Sequence, residues 1–523
     1  MELLVVVVLG LLGIAAATAI GPRLGVASPL LLVVVGIIVS FLPFVPDVEI
    51  DPEWILAGVL PPLLYSASVS MPTMEFRREF RVISGLSVGL VVVSSLALGL
   101  LFSWIVPGVS LAAGIALGAI VSPTDAVATS IVKRIGVTPR IVTVLEGESL
   151  LNDATALVLL RSAIVAAGAS VTFWEVVGDF VFAVVVAVLI GVLVGFANLW
   201  LRSRVTDATV NTVISFTVPF LAAVPSELLG ASGLVAAVVA GLVTGQGAAR
   251  RLSPQHRQSD AQNWRTIELI LEGAVFLVMG LELSAILSDL QAEESRGIAV
   301  GWRIAAVALV AVIVVRAIYV LPTLSLQRRR SRRGADLKPQ LAAAQERGGG
   351  ERFRSMLRRK VADIDYFMAV PLGWREGAVI VWAGLRGAVT LAAAQTLPHD
   401  TPDRSLIVFI AFVVATGSLI IQGGTLPLLV RLVKPAGIDH QAARAERAEL
   451  FRMLRQVAAD VEHAHADDHV GSLRLEIIKA QRRALLAARD DGAFSGSVLT
   501  GALETLDAEQ ISIELRGEHR DEA

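Results

Sequence analysis

The sequence predicts an all-α polytopic membrane protein of about 13 transmembrane helices with inverted repeats, two discontinuous helices and a cytoplasmic helical tail. Three observations carry that expectation. Of 523 residues, 54% are hydrophobic and 18% charged, and the mean hydropathy is +0.69, well to the apolar side of a soluble domain. Apolar stretches of about 20 residues, enough to cross a bilayer, recur from the first residues to about residue 432. The charges in the connections alternate between basic and acidic or neutral. The net charge of −2 says little, because the charges are so partitioned. The absence of cysteine excludes disulfides, thiolate metal sites and cysteine catalysis.

The expected spans run roughly over 2–20, 28–44, 54–70, 82–106, 110–133, 141–168, 173–201, 207–225, 228–246, 264–287, 299–322, 374–397 and 405–432. Met1-Glu2-Leu3 lacks the positive region of a secretory signal, so the first is read as a membrane helix. One alternating set of connections carries Arg23; Arg77, Arg78 and Arg81; Lys133, Arg134 and Arg140; Arg202 and Arg204; Arg250, Arg251 and Arg257; and Arg328 to Arg333. The other holds 47–53, 107–108, 168–175, 226–227, 289–294 and 399–403, acidic or neutral throughout. This places the N-terminus outside and the C-terminus in the cytoplasm. The basic stretch 327–360 is expected to be a flexible cytoplasmic loop, a topology signal or a contact for anionic headgroups. Residues 433–523, with Leu450, Met453, Leu454 and Val457 at helical spacing, are expected to form a soluble helical tail. Regulation, dimer contact and a plain solvated tail are all open for it.

Three spans carry polar residues that lipid penalises. Span five contains Val121-Ser-Pro-Thr-Asp125, where proline removes a backbone donor, and span twelve contains Gly384-Leu-Arg-Gly387. Two interrupted helices in corresponding places point to a transport site between inverted repeats, with spans four to six and eleven to thirteen as the matching halves. Span six carries Glu146-Gly-Glu-Ser-Leu-Leu-Asn-Asp153. On a helix Glu148, Ser149, Asn152 and Asp153 fall within an arc of about 140°, so their oxygens converge on one small cation or proton. This hard-ligand set offers nothing to a soft metal. Glu148 and Arg316 both lie about 10 Å below the cytoplasmic boundary, which makes them ion-pair partners, and Asp153 lies about 18 Å in, near the midplane.

Ser122-Pro-Thr-Asp125, Glu146 to Asp153, Arg316-Ala-Ile-Tyr-Val-Leu-Pro322, Gly384-Leu-Arg-Gly-Ala388 and Gln422-Gly-Gly-Thr-Leu-Pro427 together resemble the sodium/proton exchanger branch of the monovalent cation:proton antiporters. The resemblance implies a homodimer in a bacterial cell membrane serving pH and sodium homeostasis. Residues 1–72 and 173–290 would form the dimerisation side, and 82–168 and 299–432 a moving core. It implies that Asp153, with Asn152 beside it, binds cation and proton competitively, with sodium the expected cation and potassium the alternative. Ser149 and the Thr124 carbonyl would assist coordination, although membrane hydroxyls commonly satisfy their own helix. Glu148 would pair with Arg316, and Asp125 with Arg386 would neutralise the crossed helix ends. The asparagine-aspartate pair is associated in that family with electroneutral, one-for-one exchange. Glu272, in span ten, departs from the neutral amide common in bacterial members; it would either modulate proton access or cap a polar interaction at the domain interface.

Other classes fit less well. A cation channel needs a repeated filter motif, and none is present. A hydrolase needs a nucleophile with a base or a zinc motif, and neither appears. Neither a cofactor nor a nucleic-acid partner is called for. The seven histidines, His256, His399, His440, His463, His465, His469 and His519, all fall outside the expected spans, so a histidine proton relay in the bilayer is not expected.

Overall fold

The computed structural model describes residues 2–43, 50–106, 108–168, 173–292, 298–346, 351–398, 401–464 and 470–521. Most of the acidic or neutral connections, Gly348 to Gly350, His399, His465 and His469 lie wholly or partly outside them. Among the described residues the chain is all-helical, without a named strand. Among the described residues, nine helices are long and apolar enough to cross a membrane, and Ser28–Ser40, Trp54–Ser70 and Leu111–Val121 are shorter apolar helices.

The helices are, in chain order, α1 (Glu2–Leu24), α2 (Ser28–Ser40), α3 (Leu60–Ser70), α4 (Thr73–Ser84), α5 (Val91–Ile105), α6 (Leu111–Val121), α7 (Val127–Ile135) and α8 (Pro139–Gly168). Then come α9 (Phe173–Arg202), α10 (Ala208–Leu228), α11 (Gly233–Arg251), α12 (Pro254–Leu281), α13 (Leu283–Ala292), α14 (Ile298–Glu346) and α15 (Glu351–Ala369). The chain continues through α16 (Trp374–Trp382), α17 (Ala388–Gln395), α18 (Arg404–Ser418) and α19 (Gly424–Val433) to α20 (His440–Ala464), α21 (Val470–Asp491) and α22 (Gly496–Asp521). A π-helical turn, Gly85–Leu90, joins α4 to α5. It has a visible cause: the Tyr319 hydroxyl of α14 donates to the Gly85 carbonyl at 2.9 Å and fills the space where a Cβ on Gly89 would stand.

Two apolar clusters organise the membrane part. One gathers buried residues of α1, α2, α4 to α8, α12 to α14 and α16 to α19; the other gathers those of α3, α4 and α8 to α11 with Trp264 of α12, so that α8 contributes to both. At one edge of the second cluster Arg202, fully buried, donates to Asn211 Oδ1 at 2.7 Å and to Ser215 Oγ at 3.3 Å, and pairs with Asp260. Its charge is thereby satisfied on α10 and α12 rather than by water.

The expectation of a flexible loop over 327–360 is corrected for 327–346 and 351–360, the residues of it that are described. Helix α14 continues without a break to Glu346, and α15 returns antiparallel to it with Lys338 paired to Asp365. The reason is local: Leu337, Leu341 and Ala342 to Ala344, interleaved with Lys, Gln and Arg, are strong helix formers that the basic charge obscured. The tail has its own core, built from Leu450, Leu454, Ile478, Leu485, Val498, Leu499 and Leu506 of α20 to α22.

Candidate functional site

The two interruptions meet. Pro123 ends the helical ladder after α6, and the Gly-Leu-Arg-Gly run ends it after α16. Backbone groups freed there are satisfied across the gap: the Asp125 N–H donates to the Leu385 carbonyl at 2.8 Å. In lipid such groups have no water to turn to, so each break supplies what the other lacks.

Asp125 and Arg386, expected together to neutralise the crossed helix ends, stand at different ends. No ion pair joins them among the described residues. Arg386 donates instead to the carbonyls of Val121 at 3.0 Å, Ser122 at 3.4 Å and Gly384, the C-terminal ends of α6 and α16. Asp125 accepts from the Val127 N–H at 2.9 Å at the start of α7, and its Oδ2 presses on Gly387, at the start of α17. A Cβ added at Gly387 would lie 1.5 Å from that oxygen, so only glycine admits the contact. The cation thus serves two negative helix ends and the anion two positive ones, which is the arrangement helix dipoles favour.

Glu148 and Arg316 do meet as expected. Arg316 Nη1 and Nη2 reach Glu148 Oε1 and Oε2 at 2.5 and 2.9 Å, and Nε and Nη2 donate to the Ile380 carbonyl at 3.1 and 3.0 Å. Both side chains are 2% exposed, so the bidentate geometry is what makes the burial tolerable. The guanidinium lies over Gly384, where a Cβ would stand 2.5 Å from Nε. A donor chain then leads inward. Thr124 Oγ1 donates to Glu148 Oε1 at 3.0 Å, while Asn152 Nδ2 donates to the Thr124 carbonyl and hydroxyl, both at 2.8 Å. One lone pair of the carbonyl expected to assist coordination is therefore taken by Asn152. The Ser149 hydroxyl donates to the Glu146 carbonyl of its own helix at 3.0 Å.

Asp153 is different. It is 8% exposed, and no hydrogen bond or ion pair to it is found among the described residues. Its carboxylate lines a cavity of about 340 Å³, together with Thr124, Asp125, Ser149, Glu268 and Glu272. One wall is the helix breaks and α8; the other is α3 and α12. The cavity reaches Lys133 and Glu146, which pair with each other, and so extends from Asp153 towards the face that carries the basic connections and the tail. Asn152 does not line the cavity, and its Oδ1 is buried without a hydrogen-bond partner among the described residues. Glu272 lines the same wall one turn from Glu268, which the sequence reading missed; the i, i+4 spacing of the two acids was the available signal.

A cavity ending on an unpaired carboxylate, with interrupted helices whose ends are neutralised, defines a polytopic ion transporter rather than an enzyme. Residues 7–432 match the profile of a family described as "Sodium/hydrogen exchanger, transmembrane", and the chain belongs to that family of cation/proton antiporters. It is 31% identical over 465 residues to an uncharacterized Na⁺/H⁺ exchanger of Escherichia coli, covering 83% of this chain and 79% of the relative. It is 28% identical over 558 residues to an uncharacterized Na⁺/H⁺ exchanger of Mycobacterium tuberculosis, covering 98% and 96%. In fold it is similar to the sodium proton antiporter MjNhaP1 of Methanocaldococcus jannaschii, with a TM-score of 0.60 at 16% identity, covering 83% of this chain and 99% of that one.

Proposed function

We propose that the protein exchanges sodium for protons, one for one and without net charge movement, by alternating access around Asp153. The observation that carries the reading is the contrast among buried charges: Glu148, Arg316, Asp125 and Arg386 are each satisfied by a partner or by helix ends, and Asp153 faces the cavity unpaired. A buried carboxylate without a protein partner needs a proton or a cation to neutralise it. The same oxygens cannot hold both at once, and that exclusion is the coupling. Asn152 contributes no second charge, so one proton leaves for each monovalent cation that enters.

Glu148 and Arg316 hold the shape of the site, Asp125 and Arg386 hold the crossing, and Asn152 positions Thr124. Ser149 completes the shell by turning its hydroxyl from Glu146 to the ion. Residues 82–168 and 299–432 form the moving core; 1–72 and 173–290 form the dimerisation side of a homodimer, on which the acids of α12 face the core. The N-terminus lies outside and the tail in the cytoplasm, so the cavity described is the inward-facing one. Glu272 sits on the ion's path and modulates proton access. A pH-sensitive dye in everted vesicles tests the assignment: the wild-type chain dequenches it on addition of sodium, and Asp153→Asn, still inserted, does not. Dequenching by potassium instead of sodium would overturn the cation assignment, and sodium exchange by Asp153→Asn would overturn the site.

A further inference from the structure

The cavity shows how an ion reaches Asp153 from one side; the barrier on the other side lies along α8. Asp153, Leu157 and Arg161 stand at i, i+4 and i+8, on one face of that helix. Leu157 packs against both apolar clusters, so it closes the seam between them just beyond the ion site. Arg161, about 12 Å further from the cavity than Asp153, donates from Nη2 to Glu227 Oε2 at 2.9 Å. Glu227 is held in turn, because its Oε1 accepts from the Gly233 N–H at 3.0 Å at the start of α11. The pair therefore ties the helix that carries the ion site to the turn between α10 and α11, across the seam and on the face away from the tail.

We infer that Leu157 and the Arg161–Glu227 ion pair form the outer barrier of the transport path: an apolar plug under a polar latch. The inference rests on alternating access about Asp153 as proposed above. Opening the far side separates α8 from the α10–α11 turn, which withdraws Leu157 from the seam and breaks the pair. With side chains 60% and 39% exposed, the pair is of the weak, solvated kind. A weak latch suits a barrier that must open in every cycle, where a buried pair would trap it closed.

The chain has no cysteine, so a single reporter is unambiguous. Leu157→Cys is introduced into the full-length protein in cells, and a membrane-impermeant maleimide is added from the side away from the tail, whose location is fixed by protease digestion. Arg161→Ala in that background is expected to speed labelling about two- to fivefold, the change that losing an exposed pair makes in an equilibrium. Glu227→Gln should do the same, and the swap Arg161→Glu with Glu227→Arg should bring the rate back towards the starting value. Unchanged labelling in both single variants overturns the barrier. Because Glu227 also holds Gly233, Arg161→Ala is the variant that decides should Glu227→Gln fail to insert. Labelling is read without transport, so repeating it with Asp153→Asn separates this inference from the one beneath it. A response that persists there supports the barrier whatever the fate of the ion-site assignment.

Discussion

Arg316 is satisfied by a carboxylate and a carbonyl and is surrounded by apolar helix, so its value is best judged from what its removal leaves behind. Arg316→Ala strands Glu148 as a buried, unpaired charge, which typically costs about 3–5 kcal/mol. The expected outcome is a large drop in melting temperature in detergent together with loss of exchange. Glu148→Gln added to it removes the stranded charge and should return part of the stability without restoring full exchange. A double variant no more stable than Arg316→Ala would show that the pair is not what anchors α8 to α14. At this scale the sequence was informative where depth decides: residues an equal distance from one boundary had to be partners. It placed Arg386 at the crossed helix ends but could not give its partners, because a charge in a sequence does not say whether it will meet an acid or a carbonyl, and here it meets carbonyls at two helix ends.

The helix breaks were legible because Pro123, Gly384 and Gly387 each remove something a membrane helix needs. Their mutual repair was not legible, since it depends on one backbone meeting another across some 260 residues of chain, as Asp125 meets Leu385. Gly387 gives a test of that junction. A methyl there must displace the Asp125 carboxylate or part α7 from α17, and overpacking of this sort costs about 1–3 kcal/mol. Gly387→Ala should lower the melting temperature and slow exchange. Gly424→Ala, where an added Cβ meets nothing within 4 Å, should leave both unchanged or raise stability by a few tenths to 1 kcal/mol. Equal effects of the two substitutions would mean that the close approach at the crossing carries no weight. Residues 327–346 and 351–360 mark the limit of pattern reading, because charge density suggested a loop where helix propensity prevailed.

Over the whole molecule, the tail is held against α4, α11 and α12. Glu75 and Arg78 of α4 bond to Gly496 and Gly492, while Arg250 of α11 and Arg257 of α12 pair with Asp490 and Asp507. Contacts between the tail and the membrane helices resist movement of those helices in the transport cycle proposed above, so Asp490→Asn, which releases the exposed pair with Arg250, is expected to raise turnover about two- to fivefold, as loss of a weak ion pair would. A fall in turnover in folded protein would instead make the tail a brace that the transport cycle needs. The central claim is that proton and cation compete for Asp153, and it is tested most directly by the apparent sodium affinity of purified protein in proteoliposomes, measured across pH. Below the pKa of the site the carboxyl is protonated and each sodium must displace a proton. The account therefore predicts that the apparent KM falls about tenfold per pH unit as pH rises, then levels off once the carboxylate is free, with maximal rate changing much less. An apparent KM that does not move with pH would contradict it.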